Sequence, residues 1–255
     1  MQKYFIRWTA VMLCLGGGLV LHPWAQQPVI KIAETVPSSK KPYFIDPQQF
    51  DVREFLLDPP QADSSITQLE LKELHRIEQG RTAHEVEQAR QDDQEEDIFI
   101  YKTVLGSSFR SDDLPATARL SDHLKKDQGA MGASLKGYYQ RARPYQVDVT
   151  LHPVCALKTT HDSYPSGHAL TGYLEALVLA DLVPQERTPI FQRADEYAHN
   201  RIVCGVHYPS DTEASRRLAY AMYGYMMSTQ KFREELSEAR AELSAKQWGQ
   251  HDKVR

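Results

Sequence analysis

The sequence predicts an all-α fold, one single-domain helical bundle. From Ser65 onward apolar residues return at three- and four-residue spacing almost throughout, the period of a helix that buries one face. No stretch alternates strongly in the manner of a half-buried strand, and no internal repeat stands out. The 255 residues suffice for one large domain with a sizeable core.

Taken in chain order, residues 1–25 stand apart. Lys3 and Arg7 precede an uncharged, mostly apolar run of 13 residues from Thr9 to Leu21, the length of a signal-peptide core and short for a bilayer span. Export to the periplasm or beyond, with cleavage near Ala25, is the expectation; an uncleaved N-terminal anchor is the alternative. Residues 26–64, rich in proline and polar side chains, read as an extended arm. Residues 65–255 form the expected helical domain. Ile66, Leu69, Leu71, Leu74 and Ile77 mark its first helix. The stretch from Ala83 to Ala89 is polar and highly charged, and the acidic run from Asp92 to Asp97 reads as a solvated face or loop rather than a metal site. Residues 114–143 read as one or two helices, interrupted near Gly129 to Gly132. They end at Arg143, because Pro144 disfavours helical geometry in the residue before it. Residues 149–160 read as a loop. A helix starts with Pro165 in its first turn, carries Leu170, Tyr173, Leu174, Leu177 and Val178, and ends near Val183. Another runs from about Pro189 to Val206. Ser210 and Glu213 match a capping box, which puts Asp211 in the first turn of the next helix. A charged helix over residues 230–246 comes last.

Three short segments carry chemistry. In Ser163-Tyr164-Pro165-Ser166-Gly167-His168, a helix start offers free N–H groups and the positive end of a dipole to an anion. Gly167 lets a ligand approach the backbone, Ser166 adds a hydroxyl, and His168 can move a proton near neutral pH. Upstream, Lys136 and Arg143 are seven residues apart, two helical turns, and so share a face. Downstream, Arg201 precedes His207 by six residues and Asp211 follows it by four. Three cations, two histidines and a carboxylate are the components of phosphoryl transfer without a metal. The cations neutralise the non-bridging oxygens, and arginine does so with paired donors. Asp211 can fix the tautomer of His207 and free its other lone pair for attack.

The three segments resemble the PAP2 superfamily, whose pattern is Lys-x6-Arg-Pro, Pro-Ser-Gly-His and Ser-Arg-x5-His-x3-Asp. The forms Ser-Tyr-Pro-Ser-Gly-His and Cys-Gly-Val-His-Tyr-Pro-Ser-Asp are similar to those of the bacterial class A non-specific acid phosphatases. The likeness extends, more weakly, from about Tyr43 to about Leu243. Asn200 stands where the pattern has Ser, Asp162 where class A usually has Gly, and Ala169 where it usually has Thr. The resemblance implies the fold of the acid phosphatases and vanadium haloperoxidases. It also implies hydrolysis of phosphate monoesters through a phosphohistidine, with transfer to alcohols as a side activity. It assigns His207 as nucleophile, Asp211 as its partner and His168 as acid for the leaving group. Lys136, Arg143, Ser166, Gly167 and Arg201 form the phosphate cradle.

With residues 1–25 removed, Cys155 and Cys204 remain, an even count that invites a disulfide beside His207 in an exported chain; two buried thiols are the alternative. The net charge of −4 and a pI near 6.2 argue against a nucleic-acid partner. The mean hydropathy is −0.53, and no apolar run of about twenty residues follows the first segment, so stable membrane insertion is not expected. No His-Glu-x-x-His or cysteine-pair spacing occurs, so neither a metal nor another cofactor is expected. Small phosphate monoesters are the expected partners, and self-association is left open. The main competing reading is a vanadium-dependent haloperoxidase-like oxidoreductase, which shares the constellation. A lipid phosphatase with several membrane spans and a phosphate-binding protein without turnover are the other two.

Overall fold

A computed structural model describes residues 41–51, 55–246 and Trp248; the expected signal peptide lies outside them. Among the described residues the secondary structure is helical. The longer helices are α1 (Ser65–Gly80), α2 (Ala83–Gln94), α3 (Pro115–Tyr139), α4 (Gly167–Leu182), α5 (Arg187–Val203), α6 (Pro209–Ser228) and α7 (Gln230–Ser244), joined by shorter helical turns.

Helix α4 is the axis of the bundle. Its residues between His168 and Asp181 include a single charge, Glu175, and it is buried on nearly all sides. It packs chiefly against α5 and α6, with α3 on a further side. A strongly apolar helix without a polar face has to sit inside. Gly172 permits the closest approach, since a Cβ there would lie 2.7 Å from the Tyr197 ring of α5. The one interior charge, Glu175, accepts from Ser121 Oγ at 2.7 Å, and burial pushes its carboxyl up to about 8, so it stays protonated at neutral pH.

The described part of the N-terminal stretch holds no helix or strand, yet Phe44, Ile45, Phe50 and Leu56 lie in the main core. The backbone N–H groups of Tyr43 and Ile45 donate to Asp127 of α3 at 2.9 Å, and that of Phe44 at 3.0 Å. These bonds supply what a ladder or helix would otherwise provide.

Several boundaries differ from the sequence expectation, each for a local reason. Helix α3 runs unbroken through Gly129 and Gly132, because Ala130, Met131 and Gly132 are buried against neighbours and packing outweighs the propensity penalty. It then stops at Tyr139, where Gln140 turns left-handed at φ 45°. Arg143 therefore does not share a helical face with Lys136; it is extended and precedes a short turn, Pro144–Val147. The acidic stretch is solvated only in part: Glu95 and Glu96 follow the helix in a partly exposed loop, whereas Asp92 and Asp93 turn inward. Thr82 and Glu85 form a capping box that starts α2, and Asp92 at its end is buried against Arg193 and Asn200. Pro165 lies before α4, not in its first turn: Ser166 is the N-cap. Helix α5 ends at Val203 because Gly205 takes φ +74°, a turn that brings the chain back toward the bundle at His207. Cys155 and Cys204 are joined in a disulfide, with Cα atoms 5.3 Å apart.

Candidate active site

The C-terminal ends of α2, α3 and α5, the start of α4 and the loop over residues 156–162 surround a cavity of about 890 Å³. Lys136, Arg143, Gly167, His168, Arg201 and His207 all line it. The sequence nominated these residues from segments far apart in the chain, and the fold brings them to one wall. Asp211 and Ser166 stand behind that wall. Ser166 is fully buried, and its Oγ caps α4 by accepting from the Ala169 N–H at 3.4 Å.

His207 is 2 % exposed. Its Nδ1 lies 3.3 Å from Asp211 Oδ2, and because a carboxylate only accepts, Nδ1 carries the proton. Nε2 is then the lone-pair nitrogen, and Arg143 Nη1 donates to it at 3.2 Å. Burial first, then the charges of Arg143, Lys136 and Arg201, push the imidazole far below its usual range, so it is neutral. Asp211 gathers further donors: Arg141 Nη1 at 2.6 Å, Ser163 Oγ at 2.6 Å and the Tyr208 N–H at 2.9 Å. Burial raises its carboxyl to about 6, with Arg141 opposing, and these donors hold it ionised at neutral pH.

His168 sits in the first turn of α4. Its Nε2 is 3.3 Å from the Asp93 carbonyl oxygen and its Nδ1 3.9 Å from Glu96 Oε1. Burial and the nearby Arg201 push it down to about 4. Lys136 is pushed down to about 8, by burial first and by Arg143 among the nearby charges. A Cβ on Gly167 would lie 3.3 Å from Gln128 Nε2 and 3.7 Å from Lys136 Nζ, so only a glycine leaves that corner open.

Sequence reasoning did not assign two carboxylates on these cations and one arginine behind them. Asp93 pairs with Arg201 at 2.7 Å, and Asp162 accepts from Arg143 Nε at 2.7 Å. Arg141, buried between Asp211 and Glu70, stacks over the Tyr208 ring at 3.9 Å. The capping box at Thr82 was the available signal for Asp93, since it starts a helix whose last turn faces inward. Arg201 Nε is buried without any hydrogen-bond partner, an orphaned donor in the wall. Among the described residues no group of three or more His, Cys, Asp or Glu side chains is placed to hold a metal ion.

A family model described as the PAP2 superfamily matches residues 128–235, a stretch that includes all three segments. Over that stretch the chain is similar to the PAP2 superfamily. It is 28 % identical over 203 residues to a non-specific acid phosphatase of Providencia stuartii, covering 74 % of this chain and 79 % of that one. It is 31 % identical over 153 residues to a non-specific acid phosphatase of Salmonella typhimurium, with 58 % of this chain and 60 % of the other covered. A solved bacterial vanadium-dependent iodoperoxidase superposes with a TM-score of 0.50 at 18 % identity, over 69 % of this chain and 53 % of that one. That likeness is one of fold.

Proposed function

We propose that this protein is an exported acid phosphatase that hydrolyses phosphate monoesters without a metal, through a phosphohistidine on His207, with transfer to alcohols as a side activity. The observation that carries the reading is the pairing of a neutral, buried His207 with a cluster of cations that includes an orphaned guanidinium nitrogen. The phosphoryl group binds Lys136, Arg143, Arg201 and the Gly167 N–H. Its oxygens draw Arg143 off Nε2, and the freed lone pair attacks phosphorus in line. The bond to the ester oxygen breaks, and His168 gives that oxygen a proton. Asp211 stabilises the positive charge that grows on His207. Water, or an alcohol, then loses a proton to His168 and attacks the phosphohistidine, which returns both histidines to their starting states. His168 has to be protonated for the first step. A bound phosphoryl dianion counters Arg201 and raises its pKa, so substrate binding arms the acid.

The test is rapid-quench trapping of an acid-labile phosphoenzyme. The wild type should trap phosphate and His207→Ala should not, for any substrate. Phosphate still trapped on the alanine variant would refute the assignment of the nucleophile.

A further inference from the structure

We propose that Asp162 is a displaceable anion built into the phosphate cradle: its carboxylate holds Arg143 when the site is empty, swings toward Lys158 when a phosphoryl group arrives, and thereby loosens phosphate binding. The inference rests on the phosphatase reading and concerns how the same cradle lets go of its product.

The geometry puts this carboxylate between an inner and an outer set of cations. Asp162 Oδ1 accepts from Arg143 Nε at 2.7 Å, while Oδ2 lies 3.9 Å from Lys136 Nζ and 3.5 Å from Lys158 Nζ. Arg143 and Lys136 face the cavity, with side chains 3 % and 18 % exposed. Lys158 stands at the rim, more than half exposed. Both inner cations are the ones that should bind phosphoryl oxygens, so a dianion seated there meets a like charge on the same donors. Repulsion at such range inside a protein is large, and the carboxylate has to yield. Lys158 offers it a solvated partner in the direction of the exit.

The movement is confined to one side chain. The next residue, Ser163, is anchored by its N–H to the Arg141 carbonyl oxygen at 3.0 Å and by its Oγ to Asp211. The Asp162 backbone is therefore held, and rotation about its side-chain bonds moves the carboxylate. Asp93, the other acid on a cradle cation, lacks this freedom. It accepts the Ala156 N–H at 3.2 Å as well as pairing with Arg201, and no lysine among the described residues is paired with it. The consequence is kinetic. Inorganic phosphate is the product and binds the same cations as the substrate, so a carboxylate that re-enters the cradle competes with it and speeds its release.

The experiment compares Asp162→Asn, Lys158→Gln and the double variant. Calorimetry gives the Kd of inorganic phosphate at fixed pH and salt, and steady-state kinetics with a nitrophenyl ester gives Ki for phosphate and kcat. Thermal melts establish that each variant is folded. Asp162→Asn should tighten phosphate about tenfold, the scale of removing one nearby like charge. Lys158→Gln should weaken it severalfold in the wild-type background and much less when Asp162 is already Asn. A role in orienting Arg143 predicts the opposite sign: Asp162→Asn would weaken phosphate and lower kcat together, and that result overturns the proposal. An unchanged Kd in a wild-type-like, active Asp162→Asn protein overturns it as well. If the wild type neither binds phosphate nor hydrolyses a monoester, the phosphatase reading falls and takes this inference with it.

Discussion

Replacing Arg141 with methionine should move the acidic limb of the pH–rate profile upward, although this side chain does not line the cavity. Arg141 Nη1 is 2.6 Å from Asp211 Oδ1, and Nη2 is 3.0 Å from Glu70 Oε2. Asp211 has no exposure at all. With charge centres roughly 4 Å apart and an effective dielectric near 20, Coulomb's law gives about 4 kcal/mol, or about three pKa units as a ceiling. Relaxation and the remaining donors reduce this to about one to three units, the usual effect of an opposite charge at that range. Burial already raises Asp211 to about 6, so losing Arg141 pushes its titration into or above the neutral range. A protonated Asp211 no longer holds the Nδ1–H of His207 or stabilises its developing charge. Activity should then be lost first at low pH and partly recovered as pH rises. The same change leaves buried carboxylates without their cation, a cost of about 3–5 kcal/mol, which for a chain of this size lowers Tm by about 6–20 °C. The assay is kcat against pH with one substrate for wild type, Arg141→Met and Arg141→Lys, alongside a thermal melt. The lysine variant, which keeps the charge, should recover part of both effects. A variant that melts lower but keeps the wild-type acidic limb would refute the coupling to Asp211 and leave Arg141 a packing residue.

Other outcomes follow from the same geometry. His168→Ala should lose about 10²–10⁴-fold with an alkyl phosphate and far less with a nitrophenyl phosphate, whose leaving group needs no proton; equal losses would remove His168 from the acid role. In the protein without ligand His168 should titrate near 4, and bound phosphate should raise that value because it opposes Arg201; a histidine NMR titration with and without phosphate reads both numbers. Replacing Cys155 and Cys204 by serine opens a cross-link spanning 49 residues and should cost about 4 kcal/mol on the chain-entropy model, seen as a drop in Tm. EDTA should leave turnover unchanged and vanadate should inhibit, whereas activity lost to the chelator and restored by a divalent ion would refute the metal-independent mechanism.

The all-α class was legible because the helical period runs through most of the chain, and α4 stood out because so few charges interrupt it. The cavity-lining residues were legible for a different reason. Three of them sit where the backbone changes course, Gly167 at the start of α4, Arg143 at the extended exit from α3 and His207 after the turn at Gly205, and Lys136 and Arg201 lie in the last turns of their helices. Proline and glycine mark such places in a sequence. The partners of those residues were not marked in this way. Arg141 looks like any cation beside a motif. Its role depends on Gln140 adopting a left-handed conformation, which few residues other than glycine do and which composition does not announce.

The acidic run illustrates the limit most clearly. Read by charge, residues 92–97 belong in solvent, and for most such runs that holds. Here two of its members meet arginines that α5 presents from the other side: Arg193 for Asp92 and Arg201 for Asp93. Burial of an acid is tolerable only with such a partner, and the partners lie about a hundred residues further along the chain. Charge alone therefore could not place these residues. What could is the helix that carries them, since the Thr82 capping box fixes its start and puts Ala89, Asp92 and Asp93 on the side that closes over α5 and the cavity. The acids paired with the cavity's arginines are thus recognised by the geometry of their helix and of the turn before α4, while the arginines themselves are recognised by their spacing.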